Sequence, residues 1–180
     1  MANLVMLDLN DTLIGSHRED GFVTTMDEWY VLDGAVEAVR ALQEAGFETA
    51  VVTNQPAEHR LEGVTHDQMR WLMLGLEEWT QRELHEPVFF DICYHDKQHG
   101  CLCRKPGTKL LLDAMARADA APRRDQVWMV GDKASDMEAG RAVGTNVLQV
   151  YKTSACIVAD WYDTIADAAG RIIRESTPCA

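Results

Sequence analysis

Apolar residues recur along this chain in two rhythms. Short unbroken runs, such as Leu4 to Leu7 and "VWMV" at 127–130, alternate with longer stretches in which they return every three or four positions. The runs read as buried strands, and the stretches as helices with one apolar stripe. Strands are predicted over 3–8, 47–52, 88–94, 126–130 and 146–150. Helices are predicted over 34–45 (Ala35, Ala38, Val39, Leu42 and Ala45 inward, Gly46 the stop), 65–86, 107 to about 118, 135–143 and 162–174. Thr65 is the expected cap of the longest, whose stripe is Met69, Leu72, Met73, Leu76 and Trp79. Strands alternating with helices argue for a parallel α/β sheet covered on both faces. Ligands of such sheets sit beyond the carboxyl ends of the strands. The positions to inspect are Asp8, Thr53, the loop after Tyr94, and Asp132.

At 180 residues and 47% apolar, the chain suits one domain, 1–180, with a real core. A net charge of −12 disfavours nucleic acid and anionic membrane as partners. No apolar run reaches the ~20 residues of a membrane span, and no signal segment is read, so a cytoplasmic location is expected. The acidity matters for chemistry too: an anionic substrate would need a local positive pocket. "CRKP" supplies one, with Arg104 a planar fork and Lys105 a point charge.

Asp8 and Asp132 are both placed at strand tips. Side by side they would repel unless a cation lay between them. Oxygen ligands, with the carbonyl of residue 10 as a third, point to magnesium completed by substrate phosphate. Thr53 and Asn54, at the tip of "ETAVV", offer a hydroxyl and an amide to phosphate oxygens. Three of five cysteines cluster in "CYHDKQHGCLC". Cys93, His95, Cys101 and Cys103 form two spaced pairs, which suits a closed, structural zinc site tying down the loop before Arg104. His99 competes with His95 for the fourth position. Cys156 and Cys179 are read as plain thiols, and His17, His59, His66 and His85 as surface residues.

In order, "DLNDT" (8–12), "VVTNQ" (51–55), "CRKP" (103–106) and "VGDKASDMEAG" (130–140) resemble the four motifs of the haloacid dehalogenase (HAD) phosphatase superfamily. The zinc pattern narrows the resemblance to the branch of heptose bisphosphate and histidinol-phosphate phosphatases. It implies a Rossmann-like doubly wound sheet. Asp8 would be the nucleophile, and Asp8, residue 10 and Asp132 would hold magnesium. Thr53 and Lys105 would stabilise the phosphoryl group. Asn54, Arg104 and the loop of residues 15–21 would meet the substrate, and Lys133 and Asp136 would support the metal end. The spacings leave no room for a cap domain. A small phosphorylated metabolite is the expected partner, and a monomer is a plausible state.

One residue departs from the resemblance. The family has an acid where this chain has Asn10, and an amide cannot shuttle a proton. Three readings stay open: a copy altered from Asp to trap substrate, a naturally slow phosphatase, or a phosphate-binding pseudoenzyme. The first is taken, because "DLDDTL" lies one substitution away.

Overall fold

The structure, a computed structural model, describes residues 3–19, 21–56, 64–84, 86, 88–119, 126–151 and 161–176. His59, His85, Cys156 and Cys179 lie outside the described residues.

The unbroken apolar runs are the strands of one parallel sheet. The chain lays down β1 (Asn3–Leu7), a hairpin of β2 (Ile14–Ser16) and β3 (Trp29–Val31), then α1 (Ala35–Glu44), β4 (Phe47–Asn54), α2 (His66–Glu83) and β5 (Phe89–Cys93). A 3-10 turn at Lys97–His99 precedes α3 (Lys109–Arg117), β6 (Val127–Gly131), α4 (Ala134–Val143), β7 (Asn146–Val150), β8 (Trp161–Tyr162) and α5 (Ile165–Ser176). The large sheet has the order β5-β4-β1-β6-β7-β8, with every pairing parallel. Building proceeds outward from β1 to β5, then returns to β1's other side. That reversal opens a crevice beyond the strand ends, next to β1.

Side chains alternate across the sheet, so β1 feeds two cores. Val5 and Leu7 pack into one with α1, α2 and α5; Leu4 and Met6 pack into the other with α3 and α4. This is the doubly wound α/β architecture the alternation predicts. Register sets the depth of the crevice. Leu7 lies opposite Val51 on β4 and Val130 on β6, and the Asp8 N–H still donates to the Val130 carbonyl at 2.9 Å. Asp8 therefore leaves β1 while β4 continues to Asn54 and β6 to Gly131, so the neighbouring strands wall the crevice on either side of it. Among the described residues no further domain interrupts the motifs, and no helix is long and apolar enough to cross a membrane.

Two details differ from the sequence pattern. The stretch between residues 13 and 32, expected as loop, holds the β2–β3 hairpin, entered through one turn in which Leu13 and Ile14 both donate to Leu9 O. Three-residue strands are too short to show a period. Trp79 is only half-buried: it packs edge-on against Trp29, 5.2 Å between ring centroids, and Thr80 takes the buried position behind it. The long helix thereby supports the hairpin.

The capping box at the start of α2 is present. Gln68 N–H donates to Thr65 Oγ1 at 3.2 Å, and Thr65 N–H donates to Gln68 Oε1 at 2.8 Å. Thr65→Ala should lower unfolding free energy by about 1 kcal/mol in a urea titration, with the slope unchanged.

Candidate active site

Lys105 lies at the centre of the crevice. Its ammonium is buried, 2.8 Å from Asp8 Oδ1, 2.7 Å from Asp136 Oδ1 and 2.5 Å from the Val52 carbonyl. Three elements contribute: Asp8 follows β1, Asp136 sits in the first turn of α4, and Val52 belongs to β4. Burial works against the charge on Lys105, but the two carboxylates outweigh it and hold the amine above its ordinary pKa. Burial also opposes ionisation of Asp8, and the charges of Lys105 and Lys133 outweigh it, so Asp8 titrates below the usual carboxylate range. A carboxylate kept ionised and stripped of water is a competent nucleophile.

The backbone of Lys105 is fixed as firmly as its side chain. Asn54 Oδ1 accepts from Lys105 N–H at 3.0 Å, and Asn54 Nδ2 donates to Lys105 O at 3.1 Å. The sequence suggested that Asn54 contacts substrate; Asn54 lines the cavity, and its amide is engaged on both sides by the Lys105 backbone, so it also acts as a strut. Asp136 is likewise double-sided, with Oδ1 on Lys105 and Oδ2 accepting from Lys133 N–H at 3.0 Å. Gly131 makes that approach possible, because a Cβ there would collide with the Asp136 carboxylate. Lys133 reaches over the rim, 2.9 Å from Asp132 Oδ2 and 3.3 Å from Asp11 Oδ2.

Asp8, Asp132 and Asp136 bring one carboxylate oxygen each to within 4.8 Å of one another. Burial pushes the Asp132 carboxyl up to about 7, and the charges of Asp8 and Asp136 add to the rise against the pull of Lys133. A divalent cation would relieve this crowding, and the all-oxygen donor set suits magnesium. Each of the three presents an oxygen to the cluster, so Asp8, Asp132 and Asp136 are all candidate ligands.

The zinc reading has a sharper geometric test. Cys103 Sγ lies 3.4 Å from both Cys93 Sγ and Cys101 Sγ, which are 3.7 Å apart. His95 Nδ1 is 3.6 Å from Cys93 Sγ and 3.2 Å from Cys103 Sγ. A tetrahedron with Zn–S near ~2.3 Å and Zn–N near ~2.0 Å has edges of about 3.5–3.8 Å. The four groups therefore already surround a zinc-sized centre. Burial and the adjoining thiols push Cys93 up to about 12, so three thiolates would coexist only around a cation. His99 is not in the cluster; its ring lies beside that of His95, 5.6 Å between centroids. The loop also holds Arg104, whose N–H reaches Cys101 Sγ and whose guanidinium donates to His95 O at 3.2 Å.

Around these groups lies a cavity of about 550 Å³, lined by Asp8, Asn10, Thr53, Arg104, Lys105 and Lys133 among others. The hairpin forms its roof. Glu28 knots the roof loop by accepting from Thr24 N–H, Thr24 Oγ1 and Arg18 Nη1. These bonds, Thr24's hydroxyl first, hold its carboxyl down near 2. Gln55, the last residue of "VVTNQ", is a further site residue to which the sequence assigned no role. Its buried amide nitrogen donates to Asn10 Oδ1 and, at 3.0 Å, to Thr53 Oγ1. Asn10 therefore directs its carbonyl to Gln55 and keeps its NH₂ for the cavity. The Thr53 hydroxyl, accepting from Gln55, keeps its own proton to donate.

A doubly wound sheet with a buried carboxylate–ammonium pair at its switch point, backed by a second acidic strand tip, defines a phosphoryl-handling hydrolase. The chain belongs to the haloacid dehalogenase-like hydrolases, whose family model matches residues 3–144, and within them it is a HAD-type phosphatase. It is 34% identical over 145 residues to D-glycero-beta-D-manno-heptose-1,7-bisphosphate 7-phosphatase of Neisseria meningitidis, covering 78% of this chain and 73% of that protein. It is 30% identical over 161 residues to the histidine biosynthesis bifunctional protein HisB of Legionella pneumophila, covering 85% of this chain but 42% of that one. The fold matches the D,D-heptose 1,7-bisphosphate phosphatase of B. bronchiseptica, solved with magnesium and phosphate: TM-score 0.79, 22% identity, 98% of this chain and 100% of that one.

Two outcomes follow. Purified protein should carry about one zinc per chain, and Cys103→Ser should lose most of it by elemental analysis. Magnesium and protons should compete for Asp132. Magnesium affinity, followed by calorimetry, should fall about tenfold per pH unit below pH 7 and level off above it.

Proposed function

We propose that this chain is a magnesium-dependent phosphomonoesterase of sugar bisphosphates, with a heptose bisphosphate as the leading substrate. The observation that carries the reading is the Lys105 ammonium buried between Asp8 and Asp136 at the mouth of the switch-point crevice. The 34% identity to the Neisseria meningitidis heptose bisphosphate phosphatase supports the choice of sugar.

Asp8 Oδ1 is held by Lys105, which leaves Oδ2 to attack phosphorus. Bond formation to Oδ2 and loss of the sugar oxygen give an aspartyl-phosphate, which water then opens. Lys105 and the Thr53 hydroxyl face the oxygens on which charge builds. Asp8, the carbonyl of residue 10 and Asp132 would hold magnesium, which offsets phosphate charge when bound. Arg104 and Lys133 line the cavity where the rest of the substrate lies. Asn10 can donate a hydrogen bond to the leaving oxygen but supplies no proton and cannot deprotonate water. The expected loss against an acid at this position is ~10²–10⁴-fold. This copy is therefore a weak or inactive phosphatase that still binds its substrate, and its 180 residues act as one domain.

Histidinol phosphate is the second candidate substrate, favoured by the HisB likeness over 85% of the chain. A phosphate-binding protein without catalysis is the rival of a different class. The intact Lys105–Asp8–Asp136 set weighs against it.

Phosphate release should be followed with magnesium for the native chain and for Asn10→Asp, on heptose 1,7-bisphosphate and histidinol phosphate. Asn10→Asp should raise kcat by ~10²–10⁴-fold with KM nearly unchanged, and heptose bisphosphate should be the better substrate. Turnover of histidinol phosphate alone would reverse the order of substrates. No turnover by either protein would favour the binder.

A further inference from the structure

Helix α2 carries apolar residues on two opposite sides. Met69, Leu72, Met73 and Leu76 face the core, yet Trp71 is 72% exposed and Leu74 is 51% exposed on the far side. Met26 of the roof loop joins them, 47% exposed. It lies across the helix at Gly75, where a Cβ would come within 2.9 Å of its Sδ. Residues 71, 74, 75 and 78 share one face at helical spacing, so Trp71, Leu74 and Met26 adjoin there. A lone exposed leucine is ordinary, but an apolar patch built on a tryptophan marks an interaction surface. A glycine inside a helix costs about 1 kcal/mol against alanine, and here it seats Met26 in that patch.

The charges around the patch decide what can cover it. Along the same face the order is Asp67, Arg70, then Trp71 and Leu74, then Glu78 and Arg82. Among the described residues none of these four charges has an ion-pair partner. The other two acids of the helix are engaged elsewhere: Glu77 lies in the field of Arg117, and Glu83 is 3.8 Å from Arg40. Read in reverse, the order of signs inverts, so each acid meets a base. Two antiparallel copies of α2, with a twofold axis beside Leu74, set Arg70 opposite Glu78 twice. They also bring Asp67 close to Arg82 at either end. A parallel pair would set like charges together. A twofold contact requires a surface that matches itself, and this one does so in charge as well as in apolar content. With two acids and two bases, it is also a face on which two chains of net charge −12 can meet without local repulsion.

We propose that the outer face of α2 is a self-association surface, on which two copies of this chain pair antiparallel through Trp71, Leu74 and Met26, flanked by Arg70–Glu78 ion pairs. The pairing does not depend on the chemistry in the cavity, but it reaches the roof. Met26 stands just before Glu28 and Trp29, which tie the roof loop to Thr24 and to Trp79. Burying Met26 between two copies of α2 holds that loop down over the cavity. Three side chains per copy cover less than the about 1,200–2,000 Å² of a stable interface, so the dimer is weak, with a dissociation constant on the order of tens of micromolar.

Sedimentation equilibrium between about 2 and 500 µM, on either side of that constant, should show the mass rising from one copy towards two. Trp71→Ala should weaken association about tenfold or more, as loss of a central aromatic anchor does. Arg70→Glu alone, or Glu78→Arg alone, sets like charges opposite each other and should weaken self-association about tenfold. An equimolar mixture of these two variants should recover it, because each altered charge then meets its opposite on the second copy. The double reversal in one chain should recover it as well. A chain that stays monomeric across the range would overturn the proposal and leave the face to a partner of other chemistry. Association that survives both Trp71→Ala and the single reversals, or that the mixture fails to restore, would overturn it too, since the contact would then lie on another surface.

Discussion

A lysine ammonium held out of water between two carboxylates sets the terms for the rest of this molecule. Removing such charges from water costs several kcal/mol per ion, and their attraction repays this only when the geometry is tight. Lys105 meets that condition with partners from three separate elements, after β1, on β4 and on α4. The set is thus a device for holding charge in place rather than a source of stability. Removing one partner would leave its neighbours buried and uncompensated. Around it stand struts with no chemistry of their own: Asn54 on the Lys105 backbone, Gly131 leaving room for Asp136, and the thiol cluster steadying the loop that leads to Lys105.

Much of this was legible in the sequence, for physical reasons. Strands buried on both faces must be apolar throughout, so β1, β4, β6 and β7 announced themselves as runs. Helices covering a sheet show a stripe, and α1, α3, α4 and α5 fell within a few residues of expectation. Parallel order then put Asp8 and Asp132 at neighbouring tips. The paired cysteines carried their own spacing, and the structure brings Cys93, His95, Cys101 and Cys103 together while leaving His99 outside.

What stayed hidden depends on contacts without a sequence period. The β2–β3 hairpin is made of strands too short to alternate. Asn54 was read as a ligand for substrate because a strand-tip amide can serve either role, and only the fold brings the Lys105 backbone to it. Gln55 stood in "VVTNQ" with no role assigned to it. Its importance lies in a shared donor, which fixes how Asn10 and Thr53 orient their hydrogens.

Asn10 sharpens the account, because it separates holding the phosphoryl group from moving protons. With Gln55 on its carbonyl, Asn10 presents a donor where the family has an acid, while Asp8 and Lys105 are undisturbed. The first half of the reaction should thus outrun the second. The most direct measurement is mass spectrometry of the native chain, acid-quenched after mixing with magnesium and heptose 1,7-bisphosphate, set beside Asp8→Asn. The account predicts one phosphoryl group on the peptide that contains Asp8, present in the native chain and absent from Asp8→Asn. Phosphate release with no adduct on that peptide, or an adduct that survives the loss of Asp8, would contradict it.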